Sequence, residues 1–252
     1  MGKPRLGVFS VTGCFGCQLS LAFVEDVLLE ILNKFEVVAF PMLKENNEVK
    51  DIDVAFIEGS AVRAEEIEEL KKIRDNSKMV VALGACACNG GVQTIKELGD
   101  KAKIAAVVYG NNAKVYSPVD AGPIEKHIKV DYYIGGCPPD KQNLVMFVKD
   151  VLVGKKNPIQ IDMPVCVECR MKGNVCLLQE GKPCMGPFTY AGCNALCPSN
   201  GHYCFGCHGV WADANGSALR DLFKEHGFSD IEIKQFFAKF ACTNEKVQKV
   251  VK

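Results

Sequence analysis

The chain has 252 residues, 48% of them hydrophobic, enough for one large domain or two small ones with at least one real core. Thirty basic residues balance thirty acidic ones, so the positive field that a nucleic-acid or anionic-membrane binder needs is absent, and neither partner is expected. No segment approaches the roughly eighteen uninterrupted apolar residues of a membrane span. The N-terminal MGKPRLGVFSVTG has an apolar run too short for a secretory signal and no twin arginine, so a cytoplasmic location is expected. In that reducing compartment the fourteen cysteines are poor disulfide candidates and better metal ligands or redox groups.

From Arg5 to about Val153, short apolar runs alternate with helical patterns. RLGVFSV reads as a strand and CQLSLAFVEDVLLEIL as the helix after it, and FEVVAF follows as a second strand. DVAFIEG and AEEIEELKKIRD make the next strand and helix, KMVVALG a further strand, and YYIGG with KQNLVMFVKDVL the last pair. Buried strands alternating with helices predict a mainly parallel sheet covered on both faces, a flavodoxin-like α/β domain. In the helix after Cys17, Leu19, Phe23, Val27 and Ile31 recur at near-helical spacing and are expected to face the core.

Near residue 155 the texture changes. GKKNPIQIDMP is a Pro/Gly/Lys connector, and from Cys166 to Cys207 there are eight cysteines, many glycines and prolines and no sustained period. The chain is therefore divided into residues 1–155, the flavodoxin-like part, and residues 156–252, an irregular cysteine-rich part. The cysteine-rich segment is too poor in apolar surface to offset its ordering entropy, so a bound group is expected to hold it together. Beyond it, Ser229 and Glu232 form a capping-box pattern ahead of a final helix, whose Phe236, Phe237 and Phe240 need a surface to cover.

The cysteines of the first part lie just past predicted strand ends: Cys14 and Cys17 in TGCFGC, Cys86 and Cys88 in GACACNGG, Cys137 in GGCPP. That edge is where open α/β sheets bind ligands. Gly13, Gly16, Gly84, Gly135 and Gly136 let the backbone approach a bulky group and leave N–H donors facing the sulfurs. One four-thiolate site is the natural reading. A thioredoxin-like dithiol remains open for the first CxxC alone. Ser10 and Thr12 make a poor phosphate cradle, so no flavin is expected on this chain. In the second part the spacings divide eight sulfurs into two sets of four, Cys166, Cys169, Cys176, Cys184 and Cys193, Cys197, Cys204, Cys207. Each set has one CxxC pair and two looser cysteines, which favours iron-sulfur over the paired knuckles of zinc while leaving zinc open.

With these motifs in order, TGCFGC at 12–17, FIEGS at 56–60, GACACNGG at 84–91, GGCPP at 135–139, CLLQEGKPCMGPFTYAGC at 176–193 and HYCFGC at 202–207, nearly the whole chain resembles the small subunit of nickel-iron hydrogenases. The resemblance implies a flavodoxin-like domain with a proximal four-iron cluster on Cys14, Cys17, Cys86 and Cys137, facing a large subunit that carries the nickel-iron centre. It also implies a medial cluster on Cys193, Cys197, Cys204 and Cys207 and a distal one on Cys166, Cys169, Cys176 and Cys184. Cys88 and Cys242 fall outside these ligand sets and read as buried thiols. Glu58 matches a glutamate near the subunit junction, as a proton-path residue or a structural hydrogen-bond acceptor.

Two departures from the membrane-bound uptake enzymes narrow the resemblance. Cys166 stands where those enzymes have histidine, and Cys197 is a fourth medial ligand where they have three cysteines and a three-iron cluster. The likeness is therefore to cytosolic hydrogenases linked to NAD(P) or coenzyme F420, sulfhydrogenases included. The expectation is a relay subunit with three four-iron clusters and no catalytic residue of its own, beside further flavin or iron-sulfur subunits. The competing readings are a related respiratory iron-sulfur subunit and a zinc-stabilised interaction module.

Overall fold

The computed structural model describes residues 2–115, 118–155 and 161–251, and the side chains of 25–27, 31–32 and 114–115 lie outside that description. Strand β1 (Arg5–Ser10) leads into a short helix α1 (Gly16–Ala22), then α2 (Glu25–Lys34) and β2 (Glu36–Ala39). Strand β3 (Ile52–Glu58), helix α3 (Ala64–Asp75), strand β4 (Ser77–Leu83) and helix α4 (Gly84–Asn89) follow. After a 3-10 segment Gly91–Leu98 come α5 (Lys101–Tyr109), β5 (Tyr132–Ile134) and α6 (Lys141–Leu152).

The five strands form one sheet in the order β2-β1-β3-β4-β5, every pairing parallel. That is the flavodoxin-like order 2-1-3-4-5, as the alternating pattern predicts. Side-chain alternation assigns the two faces. Val8, Val54, Phe56, Val81 and Leu83 point to one face, against Leu21, Leu144, Phe147 and Val148 of the covering helices. Phe9, Ala55, Ile57, Val80 and Ala82 point to the other, against Leu70 and Ile73 of α3 and Ile124 and Ile128.

The stripe expected after Cys17 is corrected. The helix breaks at Phe23 and Val24 into α1 and α2, and the side chains that α1 buries are Cys17, Gln18, Ser20 and Leu21. Leu19 is 37% and Phe23 53% exposed, while Leu21 and Val24 enter the core. The break resets the helical phase, so a stripe read across it as one period selects the wrong face. Val27 and Ile31 lie outside the described side chains.

The second part begins with α7 (Val165–Met171), passes through the short α8 (Leu196–Ser199) and ends in α9 (Gly216–Glu225), α10 (Asp230–Ala241) and α11 (Glu245–Val251). Residues 156–160 of the connector lie outside the described residues. The expected capping box is present, Ser229 Oγ accepting from Glu232 N and the Glu232 carboxylate accepting from Ser229 N. Its helix, however, is followed by α11. The cysteine-rich segment also has more apolar support than its composition predicts. Leu177, Met185, Phe188 and the ligand candidates Cys184 and Cys204 share a third core with Leu219, Phe223, Ile233, Phe237 and Val247. The segment borrows this surface from helices that lie after it in sequence. Among the described residues no helix is long and apolar enough to cross a membrane.

Phe223 is fully buried and meets Phe228, Phe236 and Phe237 edge to face at 5.8, 5.8 and 6.1 Å. Phe223→Ala leaves a cavity that these rings cannot close, and should lower the stability of the second part by about 3–5 kcal/mol, read as a shifted midpoint in denaturant titration.

Candidate metal centres

Because all strands run the same way, their C-terminal ends share one edge. Val11 N donates to Glu58 O (3.0 Å) at the exit of β1, Ser60 N to Thr12 O (2.9 Å), and Ala85 N to Gly136 O (2.7 Å) between the exits of β4 and β5. These bonds draw the cysteine loops together. Cys17 lies within electrostatic reach of Cys86 and Cys137, Cys86 of Cys137 and Cys14, and Cys137 of Cys14. Cys88, on the same helix as Cys86, turns the other way: its thiol donates to Ala82 O at 3.4 Å and packs on the α3 side of the sheet.

The loops fit closely around the sulfurs. A Cβ at Gly84, whose φ is +83°, would stand 2.2 Å from Cys17 Sγ, and one at Gly91 would stand 2.6 Å from Cys86 Sγ. Phe15, between Cys14 and Cys17, takes a positive φ of 62°, a strained conformation for a bulky residue. Glu58 is 3% exposed, and its Oε2 accepts from the backbone N–H of Cys17 (3.0 Å) and Gln18 (3.2 Å). Burial pushes the Glu58 carboxyl up, while its hydrogen bonds from Cys17 and Gln18 pull the other way. This geometry makes Glu58 an acceptor that fixes the start of α1 and the Cys17 backbone. Glu66 braces the neighbouring loop, accepting from Thr12 Oγ1 (2.6 Å), Val62 N (2.8 Å) and Arg63 N (3.1 Å).

The other eight cysteines lie near one another, and the two expected sets touch, Cys204 being within electrostatic reach of Cys184 as well as of Cys207. Cys166 is within electrostatic reach of Cys184, Cys169 and Cys176. In the other set Cys193 is in reach of Cys197, Cys207 of Cys193 and Cys197, and Cys204 of Cys207. Gly186 sits where a Cβ would be 3.2 Å from Cys166 Sγ and 3.5 Å from Cys184 Sγ. Asn194 and Ala195, inside the Cys193–Cys197 loop, take positive φ of 53° and 47°. Glu168 of α7 holds that loop by accepting from Gly192 N (2.8 Å) and Ala195 N (3.0 Å), which ties the two sets together.

The three sets adjoin in series. Cys207 lies within electrostatic reach of Cys137, joining the first set to the one containing Cys193. Cys204 N donates to Cys184 Sγ at 3.3 Å, and Met185 N to Cys204 O at 2.9 Å, joining that set to the one containing Cys166. Sequence reading does not find these junctions, nor Glu168 or the side-chain donor Asn174 to Cys169 (3.7 Å). No periodicity or spacing marks them, because each acts across a fold contact.

A family profile described as NADH ubiquinone oxidoreductase, 20 kDa subunit, matches residues 14–151. The chain is 37% identical over 238 residues to sulfhydrogenase 2 subunit delta of Pyrococcus furiosus, covering 94% of this chain and 99% of that one. The chain belongs to this family of oxidoreductase small subunits. It is also 31% identical over 270 residues to a subunit of the F420-non-reducing hydrogenase vhu of Methanococcus voltae, covering 94% of each. Among solved structures, a chain of an NAD+-reducing nickel-iron hydrogenase in the H2-reduced state superposes with TM-score 0.57 at 30% identity, covering 63% of this chain and 96% of that one. The profile begins at Cys14 and ends in α6, so it spans the whole first set of this hydrogenase-type small subunit.

The donor sets of the small subunit fit iron-sulfur clusters. All fourteen cysteines are free of disulfides. Burial first, and the neighbouring sulfurs after it, push the Cys166 thiol up to about 12. Burial also pushes the Cys207 thiol up to about 12, and carries Cys17 higher still. Thiols in such places give up their protons only to a strongly positive core, which is how metal binding compensates burial.

Gly84→Ala places a methyl against Cys17 Sγ in a conformation that L residues avoid. The purified variant should lose metal from the first set, measured as total iron, while Gly2→Ala, with nothing within 4 Å of the added carbon, should keep its full content.

Proposed function

We propose that this chain is the electron-transfer small subunit of a cytoplasmic nickel-iron hydrogenase. In this reading residues 1–155 and 156–252 together hold three four-iron clusters, between a nickel-iron large subunit and a flavin- or iron-sulfur-containing partner linked to NAD(P) or coenzyme F420. The observation that carries the reading is the serial contact of the three cysteine sets, through Cys137 with Cys207 and through Cys204 with Cys184. Clusters held on those sulfurs supply one-electron transfer. The chain's own residues hold, separate and insulate the sites.

The two ends of the series differ in exposure. Cys14 and Cys137 are exposed at the sheet edge, beside Phe15 at 37%, so the proximal site opens toward the face assigned to the large subunit. The medial site is more enclosed than the proximal one, with Cys204 at 6%. At the far end Met171 and Val175 are 80% and 66% exposed, flanking the loop between Cys169 and Cys176, and mark the exit face assigned to the next carrier. Glu58 serves the proximal site as a structural acceptor for the Cys17 and Gln18 amides. Cys88 and Cys242 stay outside the relay, Cys242 fully buried.

Cys197 decides the medial cluster. With it the site has four thiolates and a lower-potential four-iron cluster, suited to exchange with a low-potential nicotinamide or deazaflavin couple. The intact subunit should contain about twelve irons and as many sulfides, and a colourless zinc-bearing protein would refute the reading. Cys197→Pro should bring in the EPR signal of an oxidised three-iron cluster, and its absence would remove Cys197 from the medial site.

Cys137→Ala removes one proximal ligand. Hydrogen-driven dye reduction by the assembled enzyme should fall to a few per cent or less, while the EPR signals of the other two clusters persist. Unchanged dye reduction would refute the proximal assignment.

A further inference from the structure

Helix α10 lies across the junction between the proximal and medial sites. It packs on α4, which carries Cys86, and on the segment Gly91–Leu98. On its other side Phe237 meets Phe188 at 5.0 Å in the cysteine-rich part. Phe236, Lys239 and Phe240, three and four residues apart, share one face of this helix. The Phe236 ring lies 6.4 Å from Tyr203, and Tyr203 lies 4.6 Å from Phe205. Phe205 stands between Cys204 and Cys207 in the CFGC turn.

Lys239 completes this clasp. Its ammonium sits 4.6 Å from the centroid of Phe205 and 5.9 Å from that of Phe240, in cation–π range of both rings. Among the described residues no carboxylate pairs with it. One cation thus faces the turn that carries two ligand candidates of the medial site.

We propose that Lys239 is a potential-setting residue of the relay, whose ammonium, held on Phe205 in the turn between Cys204 and Cys207, raises the potential of the medial cluster. The proposal rests on the three-cluster reading. An iron-sulfur cluster gains one negative charge on reduction, so a fixed cation nearby favours the reduced form. Lys239 is exposed in the isolated chain, and water screens its charge, which keeps the effect moderate. Rotation of the ammonium away from the site is resisted by the two rings rather than by an ion pair.

The test is an EPR-monitored redox titration of the purified hydrogenase complex carrying wild-type chain, Lys239→Met or Lys239→Arg, with iron counted in each. At a fixed applied potential the ratio of reduced to oxidised medial cluster should fall roughly three- to tenfold in Lys239→Met. Lys239→Arg should match the wild type, with iron unchanged in both. An unmoved ratio in a fully loaded Lys239→Met would overturn the proposal. Should that variant lose iron, Lys239→Gln replaces it, and loss of iron in both neutral variants beside a fully loaded Lys239→Arg would assign the cation a purely structural part and overturn it as well. A wild-type iron count below three clusters would instead count against the three-cluster reading, independently of the Lys239 comparison.

Discussion

The constraint on which everything else depends is the parallel alignment of the strands. Parallel pairing forces every strand to end at the same edge, and each crossover must return across a face of the sheet before the next strand begins. Three cysteine loops far apart in sequence, after β1, β4 and β5, are thereby brought to one place without any contact between them being written locally. The interlocking bonds at that edge, Val11 to Glu58 and Ala85 to Gly136, then set the loops against each other. An antiparallel sheet of the same strands would send successive ends to opposite edges and scatter the sulfurs.

The second constraint is electrostatic. A buried thiol resists ionisation, and several thiols buried together resist it more, because each thiolate would repel the next. The structure accepts this cost at all three sets and adds N–H donors to sulfur, among them Cys204 N to Cys184 Sγ and Asn174 Nδ2 to Cys169 Sγ. Such donors are of little value to a neutral thiol and of considerable value to a thiolate on iron, where hydrogen bonds to charged acceptors contribute about 1.5–3 kcal/mol each. The strained conformations of Phe15, Asn194 and Ala195 belong to the same design. Each costs about 1–3 kcal/mol and lies inside a ligand loop, where the turn must aim two sulfurs at one core.

The two halves support each other unequally. The sheet domain has its own cores on both faces and holds its cysteines on strand ends. The cysteine-rich part depends on α9, α10 and α11, whose phenylalanines pack beneath Phe188 and Met185. Helix α10 reaches both parts, and this explains why a helix distant from every ligand in sequence lies against α4 on one side and the CFGC turn on the other.

Much of this was legible in the residues themselves. The strands, the helices α3 and α6 and the Ser229 cap follow from local periodicity and capping chemistry, which act over a few residues and need no knowledge of the fold. The division of the cysteines into three sets of four rests on their position after strands, on spacing and on resemblance. The stripe through Leu19 and Phe23 misled because a helix break, invisible to a periodic count, shifted the phase. What only the tertiary structure decided are the contacts between elements: the Glu168 brace, the Asn174 donor to the Cys169 sulfur, the approach of Cys204 to Cys184, and the placement of Lys239 on Phe205. The sequence by itself determines which residues have the chemistry to bind metal, since that resides in the side chains. Which of them become neighbours depends on strand order and helix packing, long-range properties that no short stretch of chain contains.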